Sequence, residues 1–267
     1  MKCFSRHSAA IMLLAGVLSP GAQQIQPSSQ IASHVPAPSS DMSAPQLEEK
    51  GDALRAQKNY LDAMDYYRAG LKKSNTAVLH NKLGVCWIQQ ARYNEAKKEF
   101  EHAVKLDRAY AEAHNNLAVT YHQQKQYSSA IREYKRAIKF RDDNASFHAN
   151  LGNAYFSHKD YEQAVKEFNR ALGIDPGVFD PKPAGGVSLK LASVGDRAYF
   201  HYTMAKMYGS RGDMEHCRQY LTKASEEGYP YVRDALKDNA FGAVRKDPEF
   251  ATFVRSLKPV PQTASAE

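Results

Sequence analysis

Histidines recur at a fixed interval in this chain. His80, His114 and His148 are spaced by 34 residues, and "AEAHNNLAVTY" (111–121) sets two asparagines beside one of them. Imidazole binds transition metals and moves protons near neutral pH, so a regular histidine column first suggests metal chemistry. Stacked helices, however, lie about 8–10 Å apart, while a shared zinc needs nitrogens about 2.0–2.1 Å from the ion. No carboxylate or thiol is read as recurring beside the column, and no cysteine or histidine spacing matches a zinc motif. The histidines are therefore expected to be packing residues, with no metal site. The chain also lacks a phosphate loop, G-x-S-x-G, H-E-x-x-H and C-x-x-C. With no nucleophile paired to a base, no catalytic residue, no cofactor and no enzyme activity are expected.

The elements that position these residues follow from an internal period. Three segments align without gaps: "AVLHNKLGVCWIQQARYNEAKKEFEHAVKLD" from 77, "AEAHNNLAVTYHQQKQYSSAIREYKRAIKFRD" from 111 and "ASFHANLGNAYFSHKDYEQAVKEFNRALGIDP" from 145. Leu83, Leu117 and Leu151 coincide, as do Gly84, Ala118 and Gly152, and Trp87, Tyr121 and Tyr155. So do Ala96, Ala130 and Ala164; Phe100, Tyr134 and Phe168; and Ala103, Ala137 and Ala171. A weaker copy precedes them, with Gly51, Ala63 and Tyr67 in register, and another follows, with His201, Met204, Ala205, Tyr208 and Ala224. Each copy reads as two helices joined at "QARYN", "QKQYS" or "HKDYE". Small residues allow close helix approach, and large ones fill the space between neighbours. One such pair cannot bury its apolar face, but a stack can.

This pattern resembles the tetratricopeptide repeat family over roughly residues 44–228. The resemblance implies an all-α helix-turn-helix solenoid, a right-handed superhelix, closed here by an atypical C-terminal helical cap. It also implies a concave groove lined by the first helix of each repeat, in which a peptide or protein segment docks. Carried onto this sequence, the groove residues are Asn81, Lys82, Asn115, Asn116, Val119, Asn150, Asn153 and Phe156, with Val85, Glu112 and His122 at equivalent positions. Asparagine amides both donate and accept hydrogen bonds, which suits them to hold an extended backbone. Some family members clamp a C-terminal carboxylate with lysine, arginine and asparagine. Here those places hold Asn81, Val85, Asn116, Ser146 and Asn150, and one of them fits.

The flanks read differently. Lys2 and Arg6 precede the apolar run "AAIMLLAGVL" (9–18), followed by small residues, which is the pattern of a secretory signal over 1–22. Ten residues are too few for an ordinary membrane span, which needs about 20. An exported, periplasmic or secreted protein with no membrane span in its mature form is the expectation, in a bacterial envelope. An uncleaved N-terminal anchor on a structural scaffold is the alternative. Residues 23–43 are rich in Pro, Ser and Gln and read as a disordered linker. Four repeats are expected over 44–176 (44–76, 77–110, 111–144, 145–176), an inserted loop over 177–197, a fifth repeat over 198–228, capping helices over 229–258 and a loose tail over 259–267. The loop segment "VSLKLAS" could lie in the groove. Cys86 and Cys217 read as small packing residues.

The chain has 36 basic and 29 acidic side chains, a net charge of +7. This charge identifies no partner, and nucleic acid is not expected of an exported chain. One helix, "AIREYKRAIKFR" (130–141), concentrates Arg132, Lys135, Arg136, Lys139 and Arg141 and reads as a solvated basic face. The oligomeric state is left open.

Overall fold

The computed structural model describes residues 35–180 and 194–258, with side chains from Asp196 onward in the second stretch. The expected signal, the linker up to residue 34, the expected groove-lying segment and the tail lie outside the described residues. Ten helices follow one another as five antiparallel pairs: α1 (Ala44–Ala56) with α2 (Tyr60–Lys73), α3 (Ala77–Gln89) with α4 (Tyr93–Leu106), α5 (Ala111–Gln123) with α6 (Tyr127–Phe140), α7 (Ala145–Ser157) with α8 (Tyr161–Ile174), and α9 (Val194–Ser210) with α10 (Met214–Glu226). Each helix also packs on the next along the chain, so the pairs stack in sequence order. The structure is all-α among the described residues, as the periodicity predicts.

Local chemistry sets the helix ends. Ser43 caps α1 in a reciprocal box with Gln46, Thr76 caps α3, Asn144 caps α7, and Asp160 caps α8. Such caps satisfy backbone N–H groups that have no partner inside the helix. The turn within each of the first four pairs places one non-glycine residue at positive φ: Lys58 (63°), Ala91 (55°), Lys125 (60°) and Lys159 (66°). In the fifth pair Gly212 takes that place at 76°, where it avoids the steric cost of a Cβ. Ahead of α1, the Lys73 ammonium donates to the Ser40 carbonyl at 2.7 Å, so the chain entering the first repeat is tied to α2.

The close approach within each pair is visible at the small residues. A Cβ on Gly84 would meet the Phe100 ring at 2.6 Å, and one on Gly152 would meet Phe168 at 2.5 Å. Phe100, Tyr134 and Phe168 are all buried, as are Ala96, Ala130 and Ala164 beside them. A large apolar cluster runs from Ala118 through α7–α10 to Leu257. Cys86 and Cys217 are free and fully buried. Burial pushes their thiols up to about 11 and about 12 respectively, which leaves them protonated and inert near neutral pH.

The insertion begins in ordered structure. Val178 is buried and Phe179 sets its edge on Phe168, with ring centroids 5.5 Å apart. Helix α9 then starts at Val194, four residues ahead of the repeat register at Ala198. After α10 the chain makes three short 3₁₀ turns (Val232–Leu236, Asn239–Phe241, Val244–Lys246) and one helix, α11 (Pro248–Ser256). Asp247 caps α11 by accepting from the Glu249 amide at 2.7 Å. Phe250 and Val254 are fully buried, while Phe253 packs at the margin of the core. The cap is therefore mostly tight turns, with one regular helix closing the apolar face of the last repeat.

Candidate functional site

The first helices α3, α5 and α7 bring the predicted asparagines together. Asn150 Nδ2 donates to Asn115 Oδ1 at 3.0 Å, and Asn115 Nδ2 donates to Asn116 Oδ1 at 3.2 Å. Asn116 Nδ2 in turn donates to Asn81 Oδ1 at 2.9 Å, and Asn81 Nδ2 donates to the Tyr110 hydroxyl at 3.4 Å. One chain of amides thus crosses three repeats. Asn115, Asn116 and Asn150 keep part of their surface in solvent, whereas Asn81 is buried. Val119 is half-buried on the same helix.

The other predicted positions have different surroundings. Lys82 is paired at 2.6 Å with Glu48 and at 2.5 Å with Asp52, both on α1, so its charge serves the contact between the first two repeats. Asp52 also accepts from the Tyr67 hydroxyl at 2.8 Å. Asn153 and Phe156 are buried. Asn153 Oδ1 has no hydrogen-bond partner among the described residues, and Phe156 sits among Tyr161, Tyr199 and Phe200 at centroid distances of 5.0–5.7 Å.

Beyond Phe156 the structure adds a feature that the sequence reading did not reach. A cavity of about 460 Å³ lies between α8, α9 and the C-terminal turns, lined among others by Tyr199, Tyr202, Thr203, Lys206, Tyr229 and Asp238. Tyr199, Tyr202, Thr203 and Lys206 occupy, in the fifth copy, the repeat positions that Glu112, Asn115, Asn116 and Val119 occupy in the third. The signal was therefore present in the repeat register, but the 19-residue insertion separates this copy from the rest. Tyr202 stacks on Tyr229 with centroids 4.5 Å apart, its buried hydroxyl without a hydrogen-bond partner among the described residues. Lys206 pairs with Asp238 at 2.7 Å across the cavity wall, and this bond and charge, working against burial, hold the Asp238 carboxyl below its ordinary range.

The histidine column meets the second half of each repeat, and here the structure corrects the sequence reading. A carboxylate does recur beside it, 19 residues downstream each time: His80 Nδ1 meets Glu99 at 2.6 Å, His114 Nδ1 meets Glu133 at 2.9 Å, and His148 Nδ1 meets Glu167 at 2.7 Å. In the fifth pair His201 meets Glu227 at 2.8 Å. The second nitrogens of His114 and His148 lie 3.1 and 3.0 Å from the carbonyl oxygens of Arg108 and Asp142. His114 and His148 are thus buried, hydrogen-bonded clasps between the two helices of a pair. The H-x₁₈-E spacing was legible but was hidden by reading each helix separately.

Arg132, Lys135, Arg136 and Lys139 of α6 are exposed, as expected of a solvated face, and most of the basic side chains here also make contacts within the fold. Arg132 and Arg136 both pair with Glu133, Arg141 pairs with Glu112, and the Lys135 ammonium lies 5.5 Å over the Tyr155 ring. No described helix is long and apolar enough to cross a membrane.

Comparison with known proteins agrees with this architecture. Models of the TPR repeat match residues 88–125 and 120–159, and a model of the tetratricopeptide repeat matches residues 145–178. No curated protein sequence matches the chain. Among solved structures, PilF of Pseudomonas aeruginosa is 15% identical with a TM-score of 0.51, over 76% of this chain and 82% of its own. MamA of Desulfovibrio magneticus RS-1 is 15% identical with a TM-score of 0.49, over 68% of this chain and 92% of its own. YrrB, a TPR protein with an unusual peptide-binding site, is 17% identical with a TM-score of 0.48, over 73% and 93%. At these identities the likeness to PilF is one of fold.

Proposed function

Because the chain is a tetratricopeptide repeat protein, we propose that it is a non-enzymatic protein–protein interaction scaffold that docks an extended protein segment along its first helices. The observation that carries this reading is the cavity of about 460 Å³ at the fifth repeat, lined by the same repeat positions that carry the asparagines further along. Its tyrosines offer an apolar body with a polar tip, and Lys206 with Asp238 offers both charges at one wall. A bulky side chain of the partner fills this cavity, while the exposed parts of Asn115, Asn116 and Asn150 hold neighbouring backbone. The Tyr202 hydroxyl, without a partner among the described residues, gains a hydrogen bond from such a guest.

The test is selection from a displayed random-peptide library, followed by titration of a selected peptide. Ser210 lies exposed at the cavity margin, so Ser210→Trp blocks the cavity without entering the core. The variant is expected to weaken the peptide at least tenfold with its thermal midpoint unchanged. Full affinity in Ser210→Trp would place the binding surface elsewhere.

Export is the second part of the proposal. It rests on the basic residues, short apolar run and small residues of 1–22, and it puts the scaffold in a bacterial envelope. Mass measurement of the processed N-terminus distinguishes a cleaved exported protein from a membrane-tethered scaffold.

A further inference from the structure

In the second repeat the histidine clasp carries an additional ligand. The position that is Arg136 in the third copy and Arg170 in the fourth is His102 in the second, the starts differing by 34 residues each time. In the third copy Arg136 donates to Glu133 at 2.7 Å and helps neutralise it. His102 replaces that permanent cation with an imidazole whose ring lies 5.1 Å, centroid to centroid, from the ring of His80. One ligand atom from each of His80, Glu99 and His102 falls within 4.8 Å of the others. We propose that these three residues form a binding site for a divalent transition metal of the zinc class.

The donor set selects the metal. Two imidazoles and one carboxylate suit zinc, nickel or copper, whereas calcium and magnesium prefer oxygen ligands throughout. Glu99 and His102 are three residues apart on α4 and so share a helix face, while His80 reaches across from α3. Tetrahedral zinc, with bonds of about 2.0–2.2 Å, spaces its ligand atoms about 3.4 Å apart. Reaching that spacing asks the exposed His102 to turn inward and the His80 and Glu99 ligand atoms, 2.6 Å apart, to open by roughly 1 Å or less.

The surroundings of His80 orient it for this role. Its Nε2 lies 2.8 Å from Asn75 Oδ1, so the Nε2–H donates to the amide oxygen, as metal-bound histidines usually do through their second nitrogen. That leaves Nδ1 directed at Glu99 Oε2, 2.6 Å away. A lone pair facing a carboxylate needs a cation between them. The metal ion supplies that cation, held between the ring nitrogen and the carboxylate. The site holds three protein ligands and leaves a fourth position toward solvent for water, and His102 lies on the open side. Binding clips α3 to α4. It departs from the sequence expectation that the histidines serve only packing.

The test uses Co²⁺ alone as a probe on the full chain, because its visible absorption bands strengthen sharply in tetrahedral sites. The expected result is one Co²⁺ per chain, with strong visible bands and no near-ultraviolet sulfur-to-cobalt charge transfer, which excludes the cysteines as ligands. His102→Arg installs the residue of the next two copies at an exposed position and should weaken uptake at least 100-fold while the helical circular dichroism is unchanged. His102→Gln serves the same purpose should His102→Arg misfold. Zn²⁺ alone should raise the thermal midpoint of the wild type and leave that of the variant unmoved. The proposal is overturned if the wild type binds no Co²⁺, shows only the weak octahedral spectrum, or loses nothing on substitution.

Discussion

Asn116 Nδ2 donates to Asn81 Oδ1 across 2.9 Å and so joins α5 to α3 on the face expected to meet a partner. Asn81 is buried, so its carbonyl cannot turn to water when that donor is removed. Asn116→Ala is expected to cost about 1–2 kcal/mol in chemical denaturation, the penalty of leaving a buried acceptor unmade. Asn150→Ala should cost less, because its acceptor Asn115 remains partly solvated. Equal costs for the two would show that the amide chain carries no such difference. The asparagines therefore combine stability with display, and the Ser210→Trp variant is the cleaner probe of docking.

Lys82 bridges from α3 to two carboxylates of α1 and is itself four-fifths buried. Lys82→Met keeps the aliphatic stem and removes the charge. Glu48 and Asp52 are about one-third exposed, so water screens part of the loss, and about 1 kcal/mol of destabilisation is expected. Amide hydrogen exchange should speed up in α1 and α2 and stay unchanged in α7 and α8. A uniform increase along the chain would contradict the nearest-neighbour character of the stack.

Two backbone substitutions should act in opposite directions. Gly152→Ala drives a methyl group into the fully buried Phe168 ring, with the Ala164 carbonyl also 3.2 Å away, and should destabilise by about 1–3 kcal/mol. Ala91→Gly relieves a Cβ held at φ 55° and should stabilise by about 1 kcal/mol, despite the added freedom of the unfolded chain. Thermal midpoints moving down and up respectively would bear out both.

Acid and base should each weaken a particular contact. Burial pushes the Glu133 carboxyl up, but hydrogen bonds from His114 and Arg136 outweigh it and hold the group below its ordinary range. A depressed folded pKa means stability that is present above the unfolded value of about 4.3 and lost as pH falls through the folded one. Glu133→Gln should flatten the stability profile below about pH 4.3. His216 behaves oppositely. Burial pulls its pKa down, but Asp213 and Asp180 together raise it. Its contribution is complete below the unfolded value of about 6.5 and fades as pH rises through the folded one. His216→Gln should remove that alkaline decline above about pH 6.5.

Much of this architecture was legible because the repeat encodes it several times over. Leu83, Leu117 and Leu151, or Ala96, Ala130 and Ala164, report the same packing environment three times, and an accidental match cannot persist at constant spacing. Contacts between helices were less legible. Nothing in the types of Asn81 and Asn116 says that one amide faces the other, and Lys82 reads as a free groove cation until Glu48 and Asp52 are brought beside it. The Glu99, Glu133 and Glu167 column was periodic, yet it lies on the second helix while the histidines lie on the first. The fifth-repeat cavity depends on the cap, where Tyr229 and Asp238 obey no repeat at all.

Every donor in the series from Asn150 to Tyr110 points the same way along the stack. The face accordingly has a head and a tail: a phenolic oxygen at one extremity and an amide at the other. A strand laid along it meets different chemistry according to the direction in which it runs. A guest and its reversed sequence are thereby distinguished by the backbone itself, before any side chain is read.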